Sequence, residues 1–225
     1  MSYLYLCPIC LVIAAVFIAI EKMGMYLVAD VIKGVASAFF VALGILSALM
    51  CNDPDHARMV VVGLVLGMVA DVLLNLRYVY EGSKAKIAFL TGILVFLGGH
   101  VCYIIACLRF CAWPVVATVL GVALAAALLW WIFAHVEAQV AFKVFGVFYI
   151  GAITVLNCVV LMALIADPSQ HWLMFFAGTL LFLVSDVILI LNTFGPRQSF
   201  VMRVSNLMLY YVGQLLIALC LQLPL

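Results

Sequence analysis

The stretch MVVVGLVLGMVADVLLNL, residues 59–76, decides how the chain must fold. It is apolar or glycine at every position except Asp71 and Asn75, and it is about as long as a helix needs to cross the hydrocarbon core of a bilayer. A strand of a transmembrane barrel would alternate apolar and polar residues over about ten positions, and this run does not alternate. It reads as a membrane-spanning helix that carries a carboxyl group. The rest of the chain repeats the pattern. Of 225 residues, 70% are hydrophobic and 8% charged, and the mean hydropathy is +1.40.

Polar breaks at 21–33, 52–58, 77–86, 109–113, 135–139, 167–171 and 195–203 separate eight apolar segments. Helices are expected at 3–20, 33–51, 58–76, 87–108, 113–133, 141–165, 171–194 and 200–223. The fold class is all-α, a polytopic bundle of about eight transmembrane helices in a single integral-membrane domain over residues 1–225. The net charge of +1, without a basic stripe, argues against a nucleic-acid partner. The first segment carries no Lys or Arg ahead of its apolar run, so it is expected to stay as the first helix rather than serve as a cleaved signal. Tyr3, Tyr5, Tyr26, Tyr78, Tyr80, Trp113, Trp130, Trp131 and Trp172 fall near expected helix ends, as an interfacial belt requires.

Cys102 and Cys158 fall inside spans, where cysteine acts as a small apolar residue. Cys7-Pro-Ile-Cys10 has redox-motif spacing but lacks the βαβ setting of redox enzymes; with Cys51, Cys107, Cys111 and Cys220 toward the outer face, a pairing there stays open. Asn52-Asp-Pro-Asp-His56 reads as a proline turn with polar caps.

Ionisable groups inside a span cost a few kcal/mol on insertion scales, roughly 2.5–3.5, and usually face a cavity. Asp71 and Asp186 are the two acids placed this way, both toward the cytoplasmic side. Their contexts match: Val69-Ala-Asp71-Val-Leu-Leu74 and Val184-Ser-Asp186-Val-Ile-Leu189, with a third copy at Val28-Ala-Asp30-Val-Ile-Lys33. His100 follows two glycines in the next helix and could meet Asp71 near mid-membrane. Lys33, at the start of helix 2, could snorkel or offer an ammonium to a lipid phosphate. In helix 8, Tyr210 and Gln214 share a face at i, i+4. Asn75 shares a face with Asp71, whereas Asn192 is offset from Asp186. The chain has no H-E-x-x-H, G-x-S-x-G or glycine-rich phosphate loop, so zinc and serine hydrolase chemistry lacks its usual parts.

At these residues the sequence resembles the YhhN-like family of multi-pass membrane proteins, which includes the lysoplasmalogenases. The matching pieces are Lys33, Gly67-Met-Val-Ala-Asp71-Val-Leu-Leu, Gly99-His100-Val-Cys-Tyr103, Val184-Ser-Asp186-Val-Ile-Leu-Ile-Leu-Asn192 and Tyr210-Tyr-Val-Gly-Gln214. The family usually has a Gly-Asp pair in the helix 3 motif, and here Ala70 precedes the acid. The resemblance implies hydrolysis of the sn-1 vinyl ether of a lysoplasmalogen, a lysophospholipid substrate, to a fatty aldehyde and glycerophosphoethanolamine or glycerophosphocholine. Such cleavage protonates the alkene carbon and lets water capture an oxocarbenium ion, a problem that glycosidases solve with two carboxyl groups. One must carry a proton, which burial favours, and the other must be ionised. Asp71 and Asp186 are the expected pair, with His100 beside Asp71 making it the better candidate for the ionised member. Lys33 is expected to hold the phosphate, and Asn75, Tyr103, Asn192, Tyr210 and Gln214 to orient glycerol hydroxyls or water. No metal or organic cofactor is required.

Two other classes compete. A proton-coupled transporter of lipid or small solute also uses intramembrane Asp and His, and a structural or partner-binding membrane protein would tolerate Asn at both acids. The odd-numbered connections hold Lys22, Lys33, Arg77, Lys84, Lys86, Lys143, Arg197 and Arg203; the even-numbered ones hold Arg58 and Arg109. This asymmetry puts both termini outside and opens the site to the cytosolic leaflet, in a bacterial inner membrane or an endoplasmic reticulum. A topology reporter fused at Lys84 is predicted to report the cytoplasm; a reporter signal from the opposite side would reverse the assignment.

Overall fold

A computed structural model of the protein describes residues 2–225. Eight long helices account for nearly all of it: α1 (Leu6–Lys22), α2 (Tyr26–Ala48), α3 (Pro54–Asn75), α4 (Gly82–Leu108), α5 (Pro114–His135), α6 (Val140–Ala166), α7 (Gln170–Phe194) and α8 (Phe200–Cys220). Short 3-10 turns precede α1 and follow α3, and no strand occurs among the described residues. All eight helices are long and apolar enough to cross a membrane. The chain is an integral, multi-pass membrane protein. Its outer faces carry large exposed apolar side chains, such as Val115, Val119, Val122 and Trp130 on α5, where lipid replaces water as the solvent.

Two boundaries differ from the sequence expectation, for physical reasons. α2 begins at Tyr26 rather than 33, because the true break is the tight turn Met23–Met25, where Gly24 adopts φ +80. Lys33 therefore lies two turns inside the helix. α3 begins at Pro54 rather than 58, since Asp53 caps it by accepting the N–H groups of Asp55 (3.2 Å) and His56 (3.0 Å), and Pro54 fits the first helical position. The His56 N–H, and then the paired Arg109 guanidinium, hold the Asp53 carboxyl below the usual carboxylate range. The proline turn of residues 52–56 is thus a helix cap, and all eight cysteines are free thiols.

The bundle consists of two four-helix halves with the same internal packing. α3 lies against α4 as α7 lies against α8, and α1 pairs with α2 as α5 pairs with α6. The halves join where α2 meets α8 and α6 meets α4. Matching atoms make matching contacts. His56 Nδ1 lies 2.9 Å from Ala106 O, and His171 Nδ1 lies 2.9 Å from Cys220 O. Each histidine precedes its helix's aspartate by the same spacing, so the repeat around Asp71 and Asp186 is a structural one, with both copies in the same orientation. The third copy, at Asp30, lies in α2 and has no counterpart in this relation.

Close helix approach in each half depends on glycine. A Cβ on Gly99 would stand 3.2 Å from Gly63 O, one on Gly178 2.8 Å from Gly213 O, and one on Gly213 2.7 Å from Gly178 O. Asn157 and Thr179 add polar ties between α6 and α7: the Thr179 hydroxyl donates to Asn157 Oδ1 (3.1 Å), and the Asn157 amide donates to Thr179 O (3.2 Å). Backbone carbonyls cannot swing aside as a side chain can. Gly178→Ala is therefore predicted to lower the thermal stability of the purified protein by about 1–3 kcal/mol. Gly151→Ala, with no atom within 4 Å of its new Cβ, should leave stability unchanged or raise it by up to about 1 kcal/mol through helix propensity. Equal unfolding temperatures for the two variants would contradict the packing described.

Candidate functional site

The polar residues of α2, α3 and α8 converge on Asp71. Its carboxylate receives the Lys33 ammonium at Oδ1 (3.1 Å) and the hydroxyls of Ser37 (2.6 Å) and Tyr210 (2.7 Å) at Oδ2. Lys33 Nζ also donates to the backbone carbonyl of Asp71 at 3.1 Å. Lys33 and Ser37 present the same face of α2 at i, i+4, and the heptad-like stripe Arg203, Asn206, Tyr210 and Gln214 gives α8 one polar face. Behind Tyr210 the donors continue as a chain. Gln214 Nε2 donates to the Tyr210 hydroxyl (3.3 Å), and the Tyr103 hydroxyl donates to Gln214 Oε1 (3.1 Å).

Asp186 has a poorer environment. One hydroxyl, that of Tyr149, donates to its Oδ2 at 2.9 Å, and no cation stands beside it among the described residues. Both acids are almost fully buried. They line one small polar cavity, shared with Asn75, Arg77, Arg203, Asn206 and Tyr210. At Asp186 this cavity meets a second, apolar one, walled by Phe89, Ile93, Ile132, Phe142 and Phe194 among others. Leu74, Phe96 and Leu189 belong to both walls. Toward the ends of α3 and α7 a wider mouth joins them, lined by Arg77, Lys86, Asn192, Gln198 and Arg203.

A second, partly buried ion pair closes the polar cavity on one side. Arg203 grips Glu21 through Nε (2.8 Å) and Nη2 (2.7 Å), and Nη2 also donates to Asn75 Oδ1 at 3.2 Å. The bidentate geometry fixes α1 to α8 and orients the Asn75 amide at the cavity wall.

Several sequence expectations need correction. Lys33 is not a free ammonium at the membrane edge: it is buried, and Asp71 neutralises it, because an unpaired charge at that depth would be costly. His100 does not meet Asp71. Its ring packs against Tyr149 (centroids 5.0 Å) and Phe182 (4.9 Å), and both nitrogens are buried without a hydrogen-bond partner. Asp71 faces α2 and α8, whereas His100 faces α6 and α7, so chain adjacency of their helices does not bring them together. Tyr103 touches the site through Gln214 alone. Asn192 lies at the mouth, where its side-chain oxygen accepts the Ser199 N–H at 2.7 Å. Tyr210, Gln214 and Asn75 do gather around the carboxylates.

The sequence reading missed Ser37, Tyr149, Glu21, Arg77 and Arg203. Ser37 carried a signal in its spacing from Lys33, and Arg203 in its register with Asn206, Tyr210 and Gln214. Tyr149 carried none, since a tyrosine in an apolar helix looks like core. The arrangement as a whole offers one carboxylate amply supplied with donors, a second carboxyl with a single donor, and an apolar pocket adjoining the second. That combination suits proton transfer to and from a molecule with a long apolar tail.

Neither the curated proteins nor the solved structures contain a match to this chain. The model of the YhhN family, in contrast, matches residues 28–221, which takes in α2 from its third residue through α8 and every residue around the two carboxyl groups. The chain belongs to the YhhN family.

Proposed function

We propose that the protein is a lysoplasmalogenase, cleaving the sn-1 vinyl ether of a lysophospholipid by acid catalysis with Asp186 and Asp71. The observation that carries this reading is the unequal provision of two buried carboxyls on one cavity wall. Asp71, with Lys33, Ser37 and Tyr210 donating to it, has the partners of a stable carboxylate. Asp186, with Tyr149 alone and an apolar cavity beside it, has the surroundings of a carboxylic acid. The YhhN family includes the lysoplasmalogenases, which supports the substrate class.

In this mechanism the alkyl tail occupies the apolar cavity and the vinyl ether lies between the carboxyls. Asp186 transfers its proton to the alkene carbon next to the tail, and the remaining carbon becomes an oxocarbenium ion bonded to the glycerol oxygen. The Asp71 carboxylate stabilises that cation and accepts a proton from the attacking water, giving a hemiacetal. In the collapse of the hemiacetal Asp71 gives the proton it took from water to the departing glycerol oxygen and the hemiacetal hydroxyl gives its proton to Asp186; the carbon–oxygen bond breaks, a fatty aldehyde and the glycerophospho alcohol leave, and both carboxyls regain their starting states. Acid–base chemistry of this kind calls for no metal or organic cofactor.

The test is aldehyde release by purified protein from a vinyl-ether lysophospholipid, with the saturated alkyl-ether analogue alongside. Wild type should release aldehyde from the vinyl ether only. Asp186→Asn and Asp71→Asn should each lower the rate about a hundredfold or more, as loss of a general acid or base does. Folded wild type that releases no aldehyde would overturn the reading. Proton-coupled transport, which the two similarly oriented halves would suit, would then be the reading to test in liposomes.

A further inference from the structure

We infer that Arg77 is the anion-binding residue of the site and takes the phosphate group of a single-chain phospholipid. The inference rests on the lysolipid reading for the identity of its ligand, and on the following geometry for its location.

Arg77 lies in the 3-10 turn Leu76–Tyr78 that ends α3. It lines both the polar cavity and the mouth. Nη2 donates to the Tyr78 hydroxyl at 2.7 Å, and the guanidinium lies 4.4 Å from the ring centre of Phe89 and 4.7 Å from that of Tyr78. These contacts fix the plane of the fork. Nη1, however, is buried with no hydrogen-bond partner, and Arg77 forms no ion pair among the described residues. Burying one guanidinium nitrogen with neither a hydrogen-bond acceptor nor an acid beside it is costly, and such groups are kept where an anionic ligand completes them.

The neighbouring charges point to the same occupant. Arg203 is already matched to Glu21, and Lys33 to Asp71. Lys86, at the same mouth, donates to the neutral Gln139 side chain at 2.7 Å and has no acid partner among the described residues. Among the described residues the mouth thus holds two cations outside any ion pair, Arg77 and the exposed Lys86. Asp71 and Arg77 stand six residues apart, about 9 Å along a helix axis. That matches the reach of a glycerol backbone from its ether carbon to its phosphate. With the reacting bond at the carboxyls, the phosphate falls at Arg77. Lys33, the residue expected from sequence to hold the phosphate, is thereby free to serve Asp71 alone.

The test measures binding rather than turnover, using the full-length protein in an uncharged, phosphate-free detergent. Three probes are titrated: a saturated alkyl-ether lysophospholipid, which cannot be cleaved as a vinyl ether; the matching alkylglycerol without phosphate; and inorganic phosphate alone. Wild type should bind the lysophospholipid about tenfold or more tighter than the alkylglycerol, the worth of a charge-assisted hydrogen bond. Arg77→Gln should abolish that preference while leaving alkylglycerol affinity unchanged, which also certifies that the variant is folded. Arg77→Lys should retain part of the preference, and exposed Arg197→Gln all of it. A preference that survives Arg77→Gln overturns the inference. So does Arg77-dependent binding of inorganic phosphate with no advantage for the lipid, which would assign the site to a free anion. Because the probe is not turned over, absence of aldehyde release together with an Arg77-dependent preference would sink the hydrolase reading and leave this subsite standing.

Discussion

The ion pair between Lys33 and Asp71 is the constraint on which the rest of the site depends. Two charges placed deep among eight apolar helices are tolerable only together, and losing one partner of such a pair costs on the order of 3–5 kcal/mol. The pair draws α2 and α3 into contact. The Tyr210 hydroxyl, on the second oxygen of Asp71, brings in α8. Ser37 supplies a further donor from the same face of α2, and the chain through Gln214 to Tyr103 holds the Tyr210 hydroxyl in place. The carboxylate is therefore fixed in position, as the proposed stabilisation of a transient cation requires.

The two halves of the bundle share a scaffold and differ in the residues laid upon it. Aligning the glycine contacts of α4 with those of α8 places Phe96 opposite Tyr210 and His100 opposite Gln214. Lys33 of α2 corresponds to Tyr149 of α6, since each donates to the aspartate of its own half. The first half gives its acid an ammonium and two hydroxyls, one of them borrowed from α8, and the second gives its acid a single phenol. A symmetric scaffold carrying asymmetric polar groups yields two carboxyls of different character on one cavity wall. The apolar cavity adjoins the less supplied one, and the unbalanced cations lie at the mouth.

Much of this was legible in the sequence because polar residues stand out against apolar helices. Asp71, Asp186, Tyr210 and Gln214 announce themselves that way, and the eight spans follow from the apolar runs between breaks. The errors share a cause. Lys33 and Arg203 read as the polar edges of their helices because hydropathy counts a charge as an interruption, whereas in the fold each is cancelled by an acid on another helix. Those partners, Asp71 and Glu21, are distant in the chain, and no local pattern links them. His100 failed differently: the sequence shows which helices are adjacent along the chain, but the face each aspartate presents depends on how the halves dock. Tyr149 was invisible because a tyrosine among apolar helix residues looks like core, and its acid, Asp186, lies on another helix.

The proposed chemistry requires the two carboxyls to differ in protonation, Asp186 holding the proton and Asp71 the charge. Infrared spectroscopy of the purified protein at neutral pH tests it directly, through the carbonyl stretch of a protonated, buried carboxyl. Such a band is expected in wild type, absent from Asp186→Asn and retained in Asp71→Asn. A band that persists in Asp186→Asn and vanishes in Asp71→Asn would contradict it.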